Sequence, residues 1–334
     1  MSRRDPPAGA LAAVTVILLV TAGCSGGGGG SAAPHGDSAP VQPTSESSPR
    51  PPTESTTQAS PPPTTEPSPP PTQDADPPER AVTVTVVGDM MLGRAVADVA
   101  HAAGDPSAPL RPMAGRLARA DITVGNLEST LSTSGPPRQG DDSFAASPAV
   151  LRGLRAAGFD VLGLANNHTG DYGRPALVET VRRVRTAGIA PLGAGRDRSA
   201  AWRPVVVSRA GTRVGFVAFN AIGETYRPKA FSPGAASLRM APRTGPLRPA
   251  ELRRLQARVR ALAARTDAVV VLPHWGDQYT HQPMPDQRRV GRALLDAGAT
   301  VVVGGHPHWC RTSNGTGADS SCTRWATSSS TWTS

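Results

Sequence analysis

The chain has 334 residues, with 35 Lys and Arg against 26 Asp and Glu and a formal net charge of +9, a length that allows one or two domains. Its three cysteines all lie outside residues 81–308, which leaves that stretch neither a disulfide framework nor a thiolate set for structural zinc. The charge is divided: residues 25–80 hold two Arg against seven acids, and residues 81–334 hold 31 basic against 18 acidic residues, so a basic domain follows an acidic tether and suits an anionic partner.

Arg3 and Arg4 precede an apolar stretch at 10–20, too short to span a bilayer as a mature helix. Thr21-Ala22-Gly23-Cys24 follows and resembles the lipobox of bacterial lipoprotein signal peptides, with small residues before a cysteine that would be cleaved at and lipidated. Thr21 stands where leucine is usual, and a plain secretory signal is the alternative. Either reading makes residues 1–24 a signal peptide and the protein exported; the first holds it by Cys24 at the extracytoplasmic face of the cell membrane. Residues 25–80, a glycine run followed by Pro/Ser/Thr repeats, cannot bury a core and read as a disordered, extended tether.

From residue 81 onward apolar runs alternate with amphipathic, Ala/Arg-rich segments. Strands are predicted at 82–87, 122–124, 161–164, 205–207, 214–219, 268–272 and 300–303, and helices at 95–102, 113–120, 149–157, 176–187, 249–264 and 286–297. That order predicts an α/β layered fold. Ala210-Gly211 between two strand-like runs reads as a hairpin turn, and residues 222–247, without periodicity, read as a surface excursion. No internal repeat is visible.

Polar residues collect where the strands end. Asp89 closes the first run, Gly125-Asn126-Leu127-Glu128 follows the second, and Asn166-Asn167-His168 the third. His274-Trp275-Gly276 and Gly304-Gly305-His306-Pro307-His308 follow two later runs. In an α/β sheet such ends converge on one edge, so five distant segments can build one site. Taken singly, each cluster also reads as turn or capping chemistry or a satisfied core histidine; five together point to a site. Carboxylate, amide and imidazole donors without thiolate suit Zn, Mn or Fe. His35 and His101 read as bystanders, and His281 lies beside the site. Arg94 and Arg174 are candidates to neutralise an anion; Lys229 is the only lysine, and a nearly all-arginine basic set also follows from GC-rich coding.

The motifs GDMMLGR, GNLEST, ANNHTGDYG, HWGDQYTHQP and GGHPHW together resemble the CapA family of bacterial poly-γ-glutamate capsule synthesis proteins, which is similar to the calcineurin-like metallophosphoesterases. The resemblance covers residues 82–308 and implies a metallophosphoesterase-like layered α/β sandwich with mixed sheets. It also implies a centre of two divalent metal ions. In it Asp89 would be a ligand, Glu128 the bridging carboxylate, Asn167, His274 and His306 would complete one ion, and His308 would serve the other. His168 would give a proton to the leaving group. One position departs: the metallophosphoesterases usually carry a histidine two residues after the first aspartate, and here Met91 stands there, a poor ligand for hard cations. The resemblance implies a part in making, transferring or anchoring an anionic cell-surface polymer or its precursor by metal-assisted hydrolysis or transfer, beside a membrane polymer synthase and without nucleic acid. The rival reading is a non-catalytic polymer-binding module on the same fold.

Residues 309–334 hold 13 Ser or Thr, three of the five Trp and two of the three Cys, with no Leu, Ile, Val or Phe. Shifting their codons by one base permits the stretch YSLGNFVF, which resembles what the family carries there. The tail therefore reads as a frameshift product that removes the C-terminal part of the domain, with a genuine disordered tail as the alternative.

Overall fold

The computed structural model describes residues 81–309 together with three short strands, β1 (Val14–Leu18), β12 (Asn314–Gly315) and β13 (Cys322–Thr323). Cys24, the tether at 25–80 and most of the tail lie outside the described residues; the two tail strands pair antiparallel.

One sheet is all-parallel and five-stranded, in the order β1, β2 (Val82–Met90), β3 (Ile122–Leu127), β4 (Phe159–Gly163), β5 (Ala190–Leu192). The other is mixed. β7 (Val205–Arg209) and β8 (Thr212–Asn220) form the expected hairpin, its turn carried by Ala210 and Gly211 at φ 46° and 81°. β10 (Ala268–His274) and β11 (Val301–Val302) then join β8 in parallel. A two-residue ladder pairs β6 (Ala194–Gly195) with β9 (Gly234–Ala235).

The sheets pack face to face and each carries helices on its outer face. Val82, Val84 and Val86 alternate inward to meet Ile122, Val124, Phe216 and Val270 between the sheets. The first sheet's other face is covered by α1 (Arg94–Ala102), α2 (Arg111–Leu117), α3 (Val150–Ala156) and α4 (Gly173–Thr186), which bring Val96, Leu117, Leu154 and Leu177 into one cluster with Leu127 and Phe159. A short helix, α5 (Arg198–Ala201), follows β6. α6 (Pro249–Ala263) and α7 (Pro285–Leu295) place Leu255, Val259, Val290 and Leu294 against Val269, Val271 and Trp275 of the second sheet. Burial on both faces is why these strands read as unbroken apolar runs rather than alternating ones. The layered α/β sandwich with parallel and mixed sheets agrees with the expected fold class.

The expectation for residues 222–247 is corrected. Ala235, Ala236, Leu238 and Met240 are buried there, and Asn220 N donates to Ala236 O while Leu238 N donates to Asn220 O. The segment is packed back over the end of β8. It lacks a periodic signal because its apolar residues are anchored by single backbone bonds and a two-residue ladder, not by a regular element.

Candidate metal centre

Parallel register brings the strand ends to one edge. Asp89 pairs with Asn126, Asn126 with Gly163, and His274 with Asn220, while an isolated bridge joins His274 to Gly305. The β2–β3 register shifts between Val87 and Asp89, and a bulge of this kind re-aims the following side chain. Asp89 is thereby turned into the space between the sheets, where Oδ2 accepts from the His306 backbone N at 2.7 Å and Oδ1 from Asn126 Nδ2 at 2.8 Å. Gly305 is required by closeness: a Cβ there would sit 2.7 Å from Asp89 Oδ1.

The expected donors meet in this space. Asn167 Oδ1 lies 2.8 Å from His274 Nε2, and Glu128 Oε1 lies 3.1 Å from the same nitrogen. Asp89 Oδ1 is 3.7 Å from His274 Nδ1, and Asp89 Oδ2 is 3.7 Å from His308 Nδ1. The His306 ring centroid is 5.0 Å from that of His274 and 5.8 Å from that of His308. Asn126 Nδ2, which donates to Asp89 Oδ1, also lies 3.3 Å from His274 Nδ1.

Burial sets the charge states. Burial, then the charge of Asp89, pushes the Glu128 carboxyl up to about 8. Burial also lowers His274, and drives His306 far below the usual imidazole range with His274 and His308 adding to the effect. Both imidazoles therefore keep a lone pair at neutral pH.

The residues present fit a divalent metal. Among the described residues, Glu128 Oε1 and both ring nitrogens of His306 are buried without a hydrogen-bond partner, which is costly unless something else occupies them. Two donor groups have ligand atoms mutually within 4.8 Å: Asp89, Glu128 and His274, and Glu128, His306 and His308. Glu128 is common to both. His306 thus groups with His308, whereas the family resemblance pairs it with His274.

A cleft of ≈ 470 Å³ opens over the donors. His168 lines it, its Nδ1 2.8 Å from Asp171 Oδ2 and its ring stacked on Phe144 at 3.8 Å. Asp171 is fully buried and also accepts from Gln139 Nε2 and the Phe144 backbone N. Arg94 lines the cleft, paired with Asp142; Arg174 does not, because its guanidinium lies over Tyr226, 4.1 Å from the ring centroid. Met91 borders the cleft. His101 is exposed on α1, and His281 is exposed beside Trp309. Sequence reasoning missed Asp171, Phe144, Glu224 and Arg243. Only Asp171 carried a signal, three residues after His168 in the same motif.

Left-handed backbone gathers here. Arg94, Glu224, Tyr279, His306 and His308 all have φ between 50° and 88°, conformations that cost non-glycine residues about 1–3 kcal/mol each and collect at functional sites.

The sequence model of the family described as "Bacterial capsule synthesis protein PGA_cap" matches residues 83–316. The capsule biosynthesis protein CapA of Bacillus anthracis is 30% identical over 232 residues, covering 68% of this chain and 54% of its own length. The PGA biosynthesis protein CapA of Bacillus subtilis (strain 168) is 28% identical over 233 residues, covering 68% and 57%. This chain thus spans little more than half the length of these two relatives. A "Probable polyglutamine synthesis accessory protein" of Mycobacterium tuberculosis is 28% identical over 265 residues, 68% of each chain. A solved structure of a hypothetical protein from Thermus thermophilus aligns at TM-score 0.37 and 17% identity, covering 62% of this chain and 67% of that one.

Proposed function

The chain belongs to the bacterial capsule synthesis protein PGA_cap family, and from that premise we propose that it acts on an anionic surface polymer or its precursor, poly-γ-glutamate or a related chain, through a two-cation hydrolase or transferase centre. The observation that carries this reading is the buried Glu128 carboxylate shared by two donor groups, with the unsatisfied His306 nitrogens beside it. Bound Mn, Fe or Zn would supply Lewis-acid polarisation and a water acidic enough to attack near neutral pH.

The chain's own residues supply the rest. Asp171 holds the Nδ1 proton of His168 and fixes the ring, leaving Nε2 to pass a proton to the leaving group in the cleft. Phe144 stacks on the His168 ring and the residue is buried, which holds the imidazole in place. Arg94 and Arg243, both lining the cleft, suit a substrate with negative charge close to the reacting bond. Export and a lipid anchor at Cys24 belong to the same proposal: a tether of 56 residues at 25–80 would carry the domain away from the membrane, beside a polymer synthase.

Met91 favours a second reading, a polymer-binding module without catalysis, because it borders the cleft where the metallophosphoesterases carry an imidazole. Metal content of the purified chain, followed by hydrolysis of bis(p-nitrophenyl) phosphate and of a γ-glutamyl amide, separates the two. Bound divalent metal with turnover of either compound supports the enzyme; metal without turnover, together with retention of poly-γ-glutamate, supports the binding module.

A further inference from the structure

Every metal-centre residue expected from the sequence lies in the last residues of, or after, β2, β3, β4, β10 or β11. β8 lies between β7 and β10 and ends at the same edge, since Asn220 pairs with His274 and the Ala221 backbone N donates to His274 O at 2.8 Å. The turn after it is held by the Asn220 side chain, which accepts from Ile222 N (2.8 Å) and donates to Gly223 O (2.9 Å). That turn ends on Glu224, a non-glycine residue at φ 57°.

Glu224 Oε2 accepts from Asn167 Nδ2 at 3.0 Å, and Glu224 Oε1 pairs with Arg243 Nη2 at 2.6 Å. A side-chain amide has one end that offers lone pairs and one that can only donate. With its Nδ2 bound by a carboxylate, Asn167 must present Oδ1 to the donor cluster, where it lies 2.8 Å from His274 Nε2. Arg243 balances the Glu224 charge, so the carboxylate orients the amide without adding a net negative charge beside Asp89.

We infer that Glu224 is a positioning residue of this centre: by fixing the Asn167 amide with Oδ1 inward, it sets how tightly a divalent cation is held. This rests on the metal-centre reading proposed above. It differs from a loop-closing ion pair, which at this exposure contributes little and would leave metal affinity unchanged.

The test is Mn²⁺ affinity of the full chain by isothermal titration, beside the thermal midpoint of each metal-free variant. Glu224→Ala is expected to weaken binding about 10- to 100-fold, the usual effect of losing a group that orients a metal ligand, with little change in the metal-free midpoint. Glu224→Gln is expected to restore most of the affinity, because its carbonyl can accept from Asn167 Nδ2. In an Asn167→Ala background, Glu224→Ala is expected to add nothing, since it acts through that amide. Wild-type affinity in Glu224→Ala overturns the inference alone, as does an undiminished loss in the Asn167→Ala background, which would make Glu224 itself a ligand. A wild-type chain that takes up neither Mn²⁺ nor Zn²⁺ overturns this inference and the metal-centre reading together.

Discussion

Replacing Glu128 by glutamine keeps the shape of the side chain and removes the buried charge. In the metal-free protein burial and Asp89 hold the Glu128 carboxyl at about 8, against an ordinary value of 4.5. Because the folded value is raised, the native state keeps its proton longer than the unfolded chain does. Stability is therefore lost as pH rises from about 4.5 to about 8, then levels off. At 1.36 kcal/mol per unit, the loss is about 1 kcal/mol at pH 5 and about 3 kcal/mol at pH 7. His274 and His306, whose folded values are lowered, give the opposite slope, with stability lost as pH falls through about 6.5. Both histidines are present in either protein, so the difference between wild type and Glu128→Gln isolates the carboxylate. Urea denaturation of the two metal-free proteins at pH 5, 6, 7 and 8 should show the glutamine variant gaining about 2 kcal/mol relative to wild type between pH 5 and pH 7. A difference that stays flat across that range refutes the argument that burial dominates at Glu128.

His306→Ala should lower bound metal per chain far more than His101→Ala, measured by elemental analysis after purification, because the His306 nitrogens lie in the donor cluster and His101 is exposed on α1. Gly305→Ala should cost about 1–3 kcal/mol in urea denaturation, since its Cβ would meet Asp89 Oδ1 and His274 Nδ1. Asp171→Asn should lower hydrolysis of a model phosphodiester about 100-fold with metal content unchanged; equal loss of metal would show that it acts on the fold instead. Cys24→Ala should move the protein from the detergent phase to the aqueous phase in a partition assay, and unchanged partition defeats the anchor.

The strand ends were legible because two local signals coincide there. Burial on both faces gives an unbroken apolar run, and a polar residue must then break it where the strand leaves the core, as at Asp89, Glu128, His274 and His306. β5 was not legible: three residues, Ala190–Leu192, complete the sheet edge on little more than Leu192. Glu224 was hidden for another reason. It lies four residues beyond the end of β8, and what places it is the side chain of Asn220 together with the packing of Leu238 and Met240. None of these makes a period of two or of 3.6. Asp171 was in plain view within its motif, but only the folded turn shows that its carboxylate returns to His168.

The Asp89 contact to the His306 backbone joins residues 217 apart, and the Asn126–His274 and Asn167–His274 contacts join residues 148 and 107 apart. Closing such loops costs chain entropy before any contact offsets it. A chain growing from its N-terminus holds Asp89, Glu128 and Asn167 long before their histidine partners exist. Assembly of the centre must therefore wait for β10 and β11, and no local piece of the fold preserves it. Opening β11 alone withdraws His306 from Asp89, so the integrity of the centre reports on the cooperativity of the whole domain.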